Sequence, residues 1–451
     1  MTISRRRLLY LLSLSPALGL EAEPPGKGLS IRSANPEDFE MPLSGFDTWL
    51  TPAENFYVRT HIYKPKVELA DWRLRVDGLV ERELTLDMAQ LKKLPRVEQV
   101  AVLECAGNGR SFYEPGVTGM QWRNGAVGNA RWTGVRLADV LKQAGVKPGV
   151  AQVLFNGADV PMGKVPDFVR SVPLEKAMHP DTLLAFNMNG EPLPASHGFP
   201  LRLVPAGWAG DSWVKWVTNI SLLDKEFDGF FMKTAYRRPI HTVAPGTAVD
   251  PSAMVPVTAI KPKSVIASPV AGERLSARPV AIRGAAWAGE APLARVDVSM
   301  DSGRTWRPAR LGPDRAPYAW RLWEATWTPP AEGSYVLMAK ATDEKGETQP
   351  FLEDWNPSGY LWNVIPAVRV EVGGGPPALP APPPAPEIQP FPENVAKTCV
   401  NCHGQDMIAG QHLTRAQWER EVDKMTRWGA AVTPDNRSAV VDFLFRAFGA
   451  K

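Results

Sequence analysis

The chain has three cysteines, and their surroundings divide them into two groups with different chemistry. Cys399 and Cys402 stand in Cys-Val-Asn-Cys-His, residues 399–403. At that spacing two thiols attach a c-type haem and the adjoining His403 ligates its iron. Zinc would need a fourth donor there, and no other cysteine is available to supply it. Cys105 stands alone in Glu-Cys-Ala-Gly-Asn-Gly-Arg, residues 104–110. A solitary cysteine ordinarily reads as a buried, inert thiol. Here a glycine-rich turn and the charge of Arg110 favour the thiolate, the form that binds metals. For the second iron ligand, Trp418, Val422 and Met425 recur on one helical face. Met425 therefore leads, in a His/Met pairing that raises a haem potential, with Met407 and His412 as rivals.

The elements that must position these groups are legible from periodicity. Val100–Leu103 is a continuous apolar run, a buried strand that ends at Cys105. Trp72, Leu74 and Val76 alternate with charged residues as one buried strand face does. Leu84–Leu94 has helical spacing and stops before Pro95; Leu137, Val140 and Leu141 predict another helix, closed at Gly145. Together they predict an α+β domain over residues 30–250. Beyond Pro245 the pattern changes to short alternating strands at 280–284, 294–300 and 335–340, with turns at Asp301-Ser-Gly and Asp343-Glu-Lys-Gly. That spacing predicts an immunoglobulin-like β-sandwich over 255–372.

Residues 373–390 open with three glycines and continue proline-rich, a semi-rigid spacer. At about 3.1 Å per residue it would reach on the order of 50 Å. The last unit, 391–451, predicts a small all-α cytochrome c domain. Thr414 and Gln417 form a capping box for one helix, and Thr433-Pro434 opens the next. So few residues make a thin core, which a haem would complete.

A length of 451 residues exceeds one ordinary core. With 51 basic and 48 acidic residues the charge is nearly balanced, which argues against a nucleic-acid binder. The 44 prolines and 16 tryptophans fit a loop-rich β protein. Ser4-Arg5-Arg6-Arg7 precedes an apolar run to Leu20, shorter than the roughly 20 residues that span a bilayer. Residues 1–22 therefore read as a twin-arginine-type export signal, cleaved near Gly19–Ala22. An uncleaved basic anchor is the competing reading. The expected location is periplasmic, without stable membrane insertion after cleavage.

Glu104–Ser111, Gln121–Val127 and Ala130–Leu137 closely resemble blocks of the sulfite oxidase family of molybdenum enzymes. Asn55–His61, Met188–Pro200, Trp213–Trp216 and Tyr318–Trp323 match further blocks in the family's order, so the resemblance spans about residues 35–372. It implies a molybdopterin-binding domain followed by an immunoglobulin-like dimerisation domain, and allows a homodimer. Cys105 becomes the protein thiolate on molybdenum. Arg59, Arg110 and Arg321 match the arginines around the substrate pocket, and Tyr236 matches the pocket tyrosine. Guanidinium forks suit a small dianion such as sulfite. The match also assigns Tyr57, Val58, Arg59, Thr60, His61, Asp159, His197, Arg202, Trp213, Val214 and Lys215 to the pterin and its phosphate. Gly109 stands where some members have arginine.

The expected function is an exported sulfite dehydrogenase. It would oxidise sulfite at molybdenum-molybdopterin and pass electrons singly through haem c to an acceptor such as a soluble cytochrome c. Three alternatives stay open: a sulfane-sulfur dehydrogenase of a thiosulfate-oxidising system, a molybdenum reductase of sulfoxides, and a non-catalytic electron-transfer module.

Overall fold

The computed structural model describes residues 28–373, 391–400 and 403–450. The proposed export signal, nearly all of the spacer, and Cys402 lie outside the described residues.

The first domain is built on two sheets, one antiparallel and one mixed. The strand Arg96–Glu104 pairs antiparallel with Val127–Arg136 along its whole length, from Arg96 opposite Val135 to Glu104 opposite Val127. Thr182–Met188 continues this sheet and also pairs with Arg202–Pro205. Ala101, Val102, Leu103 and Glu104 are all buried, so this strand crosses the core and delivers Cys105 at its end. A second sheet runs Leu84–Leu86, Leu74–Gly78, Val217–Leu223, Gln152–Gly157 and Arg170–Pro173. Trp72, Leu74 and Val76 fill its inner face.

Two helical expectations meet different outcomes. Leu137–Ala144 is a helix, closed by Gly145 at φ 76°. Leu84–Leu94 is not one element, because Leu84–Leu86 is a strand paired with Leu74–Val76. Asp87 then caps a single helical turn, Met88–Leu91, in a capping box with Gln90. The apolar spacing fits both elements, and the cap decides where the change falls.

Residues from Lys263 to Val372 form the predicted sandwich of a four-stranded and a five-stranded sheet. Strands Val280–Trp287, Leu293–Ser299 and Gly333–Asp343 carry the three segments read from alternation, the second stopping one residue short of Met300. The first sheet is buried on both faces. Ile266, Ile282, Ala286 and Trp323 point into the sandwich, while Val265, Ala285 and Trp287 enter the core of the first domain. Phe46 of the first domain stacks on Trp287, with centroids 6.0 Å apart, and packs at 5.4 Å against Trp320. The two domains therefore share one apolar core.

The C-terminal unit comprises helices Glu393–Cys399, Gln405–Ala409, Arg415–Arg427 and Pro434–Phe448. Capping boxes at Thr414–Gln417 and Thr433–Asn436 open the last two. Trp418, Val422, Val440, Val441 and Leu444 centre its small core. The unit sits against the first domain. Gln411 donates to Gly119 O at 2.9 Å, and Gln417 donates to Gly116 O at 2.8 Å. Gly404 N–H donates to Asn35 O at 2.7 Å, and Trp428 meets the Phe230 ring edge-on at 5.2 Å. No helix among the described residues is long and apolar enough to cross a membrane.

Candidate active site

Cys105 begins a tight turn at the end of its strand. Its N–H donates to Ala126 O at 2.9 Å, and its carbonyl accepts from Asn108 N–H at 2.9 Å. Gly109 has φ 93°, and a Cβ there would lie 2.5 Å from Trp362. Glycine is favoured at this position on both counts, and an arginine at Gly109 would strain the backbone and need Trp362 to shift. Burial pushes the Cys105 thiol up, while Arg110, the Gly107 amide and Arg59 pull it down. Burial outweighs these neighbours and the net shift is upward, so a bound metal would supply the remaining charge that holds the thiolate.

Cys105 opens into a cleft with about 610 Å3 of empty space, the open solvent at its mouth included. Tyr57, Arg59, His61, Asp159, His197, Arg202, Trp213, Lys215 and Tyr236 line it with Cys105. These are ten of the residues predicted from sequence, gathered from segments far apart in the chain. Val58 and Thr60 are buried in the backbone of the same segment and do not line the cleft, and Val214 packs into the main core.

Two predicted arginines are differently employed. Arg110 is buried but not among the lining residues, and its guanidinium donates to Met120 O at 3.0 Å and Ser358 O at 3.1 Å. It lies 5.0 Å from the Tyr360 ring and acts on Cys105 through its charge. Arg321 is not at the cleft. It begins a sandwich strand and donates to the Gly312 carbonyl at 2.5 Å, near Arg315 and Asp314. Arg321 thus does not line the cleft, although the carbonyl of Tyr318, three residues before it, bonds the strand that carries Cys105 by accepting from Val102 N–H at 2.8 Å.

The cations that do reach the cleft are held at different strengths. Arg59 donates through Nη1 to both oxygens of Asp38, at 3.0 Å each, and Thr60 N–H adds a third bond at 3.1 Å. Burial lifts the Asp38 carboxyl to about 6 even beside this guanidinium. Arg202 donates to His197 O at 3.0 Å and lies between the Trp132 and Trp213 rings, while its Nε is buried without a partner. Lys215 reaches Ser196 O at 3.0 Å and sits 4.1 Å over Trp216. Burial drives Arg202 down to about 10, and burial together with Arg202 drives Lys215 down. Two neighbouring cations, one with an orphaned buried nitrogen, fit a bound phosphate, which would restore both charges.

His61 and Tyr236 complete the floor. His61 Nε2 and the Tyr236 hydroxyl are 2.6 Å apart, and the imidazole stacks on Phe168 at 3.9 Å. Tyr236 adopts φ 55° and stacks on Tyr360 at 5.3 Å. Sequence reasoning missed Asp38, Phe168, Arg170 and Asp211. Arg170 donates to Asp211 at 2.6 Å and lies 5.4 Å from the Tyr236 ring. Asp211 sits two residues before the quoted Trp213 block, and Asp38 lies in an acidic stretch whose partner only the fold reveals.

The second candidate centre lies in the C-terminal unit. Cys399 packs against its apolar core, and burial pushes the thiol up to about 11. His403 Nδ1 is buried without a hydrogen-bond partner, and burial holds the imidazole down, with Lys424 adding to the effect. Lys424, whose charge bears on His403, adjoins Met425 on the same helix. Met407 instead packs against the cluster containing Cys105, Met120 and Trp122. The buried, neutral imidazole keeps a nitrogen lone pair free for a metal.

Residues 61–231 match the oxidoreductase molybdopterin binding domain, and 255–373 match the Mo-co oxidoreductase dimerisation domain. The chain is 36% identical over 366 residues to the mitochondrial sulfite oxidase of Drosophila melanogaster, covering 75% of this chain but only 62% of the fly protein. It is 36% identical over 350 residues to the sulfite oxidase of Gallus gallus, covering 74% and 76% of the two chains. The crystal structure of the sulfane dehydrogenase SoxCD from Paracoccus pantotrophus is similar with a TM-score of 0.65 at 31% identity, covering 74% and 85%. The chain belongs to the sulfite oxidase family of molybdopterin oxidoreductases.

Proposed function

We propose that this chain is an exported sulfite dehydrogenase. Sulfite and water become sulfate, two protons and two electrons, and the electrons leave singly through a covalent haem c to a cytochrome-type acceptor. The observation that carries the reading is the convergence of Cys105, Arg59 and the His61–Tyr236 pair in one cleft with Arg202 and Lys215. Cys105 would hold molybdenum, which supplies two-electron oxygen-atom transfer when bound. Arg202, Lys215 and His197 would hold the pterin phosphate, and Arg59 would bind and orient the sulfite dianion. Tyr236, supported by His61, would hydrogen-bond the substrate oxygens. Cys399, Cys402 and His403 would hold the haem, with Met425 as the second ligand.

The basic residues ahead of the Leu8–Leu20 run support export to the periplasm, where haem c is attached. The dimerisation-domain match supports a homodimer through the sandwich. Similarity to a sulfane dehydrogenase structure keeps a protein-bound sulfane as the second substrate reading. Turnover of purified protein on free sulfite and on a protein-bound sulfane, with cytochrome c as acceptor, separates them. Faster turnover on sulfite supports the first reading; turnover on sulfane alone overturns it.

A further inference from the structure

We infer that the sandwich domain is a positioning part of the catalytic centre, acting through Lys263 and Trp287 on Glu104. The inference rests on Cys105 being the metal's thiolate. Glu104 immediately precedes Cys105, and its buried carboxylate is bonded by two side chains of the other domain. Lys263 Nζ donates to Glu104 Oε1 at 3.1 Å, and Trp287 Nε1 donates to Oε2 at 2.8 Å. Asn108, three residues beyond Cys105, donates from Nδ2 to the same Oε1 at 2.8 Å. Lys263 also donates to the Asn108 carbonyl at 3.2 Å. Glu104 is 6% exposed, Lys263 2%, Asn108 1% and Trp287 0%, so this network excludes water.

The network brackets the cysteine. Glu104 on one side and Asn108 on the other are tied to the same lysine, so the intervening turn has little freedom to shift. From a second direction the same domain grips the loop again. Leu361 N–H donates to Ala106 O at 2.8 Å, and Ser358 O accepts from Arg110 Nε at 3.1 Å.

Stability does not account for such an arrangement. A buried ion pair is often no better than well-packed apolar residues, because desolvating both charges offsets their attraction. What the pair adds is direction. Each carboxylate oxygen has a fixed donor, which sets the rotamer of Glu104 and the register of the turn after it. Lys263 and Trp287 are therefore positioning residues, since neither lines the cleft.

The test compares full-length wild type with Lys263→Met, Lys263→Arg, Glu104→Gln and Cys105→Ser. Amide hydrogen exchange over residues 105–110 reads the clamp without needing the metal. The Mo(V) electron paramagnetic resonance spectrum and kcat per bound molybdenum read its effect on the centre. Lys263→Met should speed exchange in the loop about tenfold or more, shift the Mo(V) spectrum, and lower kcat about tenfold with KM for sulfite little changed. Lys263→Arg should restore most of each. Should Lys263→Met not fold, Glu104→Gln keeps the side-chain shape and should give the same changes in smaller degree. Wild-type loop exchange and a wild-type spectrum in Lys263→Met, or in Glu104→Gln if that replaces it, would overturn the inference. A wild-type Mo(V) spectrum in Cys105→Ser would overturn the metal reading instead, and the inference falls with it however the loop exchanges.

Discussion

The Tyr236 hydroxyl and His61 Nε2 lie 2.6 Å apart at the floor of the cleft that Cys105 enters. Burial keeps both neutral: it pushes the phenol well above its ordinary range, and with Arg59 and Lys215 it holds the imidazole well below its own. Replacing Tyr236 with Phe leaves a buried histidine nitrogen unpaired, which costs about 1–3 kcal/mol. If that support is given to the reacting complex, kcat on sulfite falls about tenfold to hundredfold. Steady-state kinetics normalised to bound molybdenum checks this, and an unchanged kcat contradicts it.

Arg59 and Arg321 should behave oppositely on substitution. Arg59→Met strips the buried Asp38 of its partner, a penalty of about 3–5 kcal/mol, and should raise KM for sulfite at least about tenfold. Arg321→Ala, in the sandwich, should stay within about 0.5 kcal/mol and leave KM unchanged. Thermal unfolding and initial-rate kinetics on the pair read both. A raised KM in Arg321→Ala would restore its place at the pocket.

Acid sensitivity should trace to His197. Burial, with Arg202 and Lys215 nearby, holds its imidazole down to about 3 from 6.5. Below pH 6.5 the unfolded chain takes up a proton that the folded one refuses, so stability falls with pH until about 3. One such proton contributes about 1.4 kcal/mol per pH unit. His61 is shifted in the same direction and adds to the slope. His197→Gln should flatten the fall in melting temperature between about pH 6.5 and 4, where this linkage acts. An unchanged slope contradicts the assignment.

Much of this architecture was legible because the signals were local. The apolar run ending at Cys105, the alternating sandwich strands and the Thr414 cap all depend on neighbours a few residues away. Arg321 lies outside the lining of the cleft, and a matching block identifies a strand without telling which way its side chains face. Glu104 and Lys263 were unreadable for a related reason. They pair across 159 residues, and a single lysine at the head of an apolar strand gives no hint of its partner. Arg170 and Asp211 escaped notice similarly, since their ion pair forms only when two separate segments meet.

The seat of the C-terminal unit has a measurable consequence. Gln411 and Gln417 hold the loop 116–121, whose Met120 carbonyl accepts from Arg110. These contacts are neutral amides, so salt should weaken them little. The double variant Gln411→Ala/Gln417→Ala should slow haem reduction after flash photolysis several-fold, with weak dependence on ionic strength. Unchanged rates would favour transfer by a unit swinging freely on its spacer.

The proposed function couples a sulfite-oxidising centre at Cys105 to a haem at Cys399–His403 within one chain. Rapid mixing of the oxidised, purified protein with sulfite, while following the haem absorption bands, tests it most directly. Prompt haem reduction in the wild type and its loss in Cys105→Ser, with haem content unchanged, is the predicted result. A haem that stays oxidised in the molybdenum-loaded wild type, or is reduced equally well without Cys105, would contradict the account.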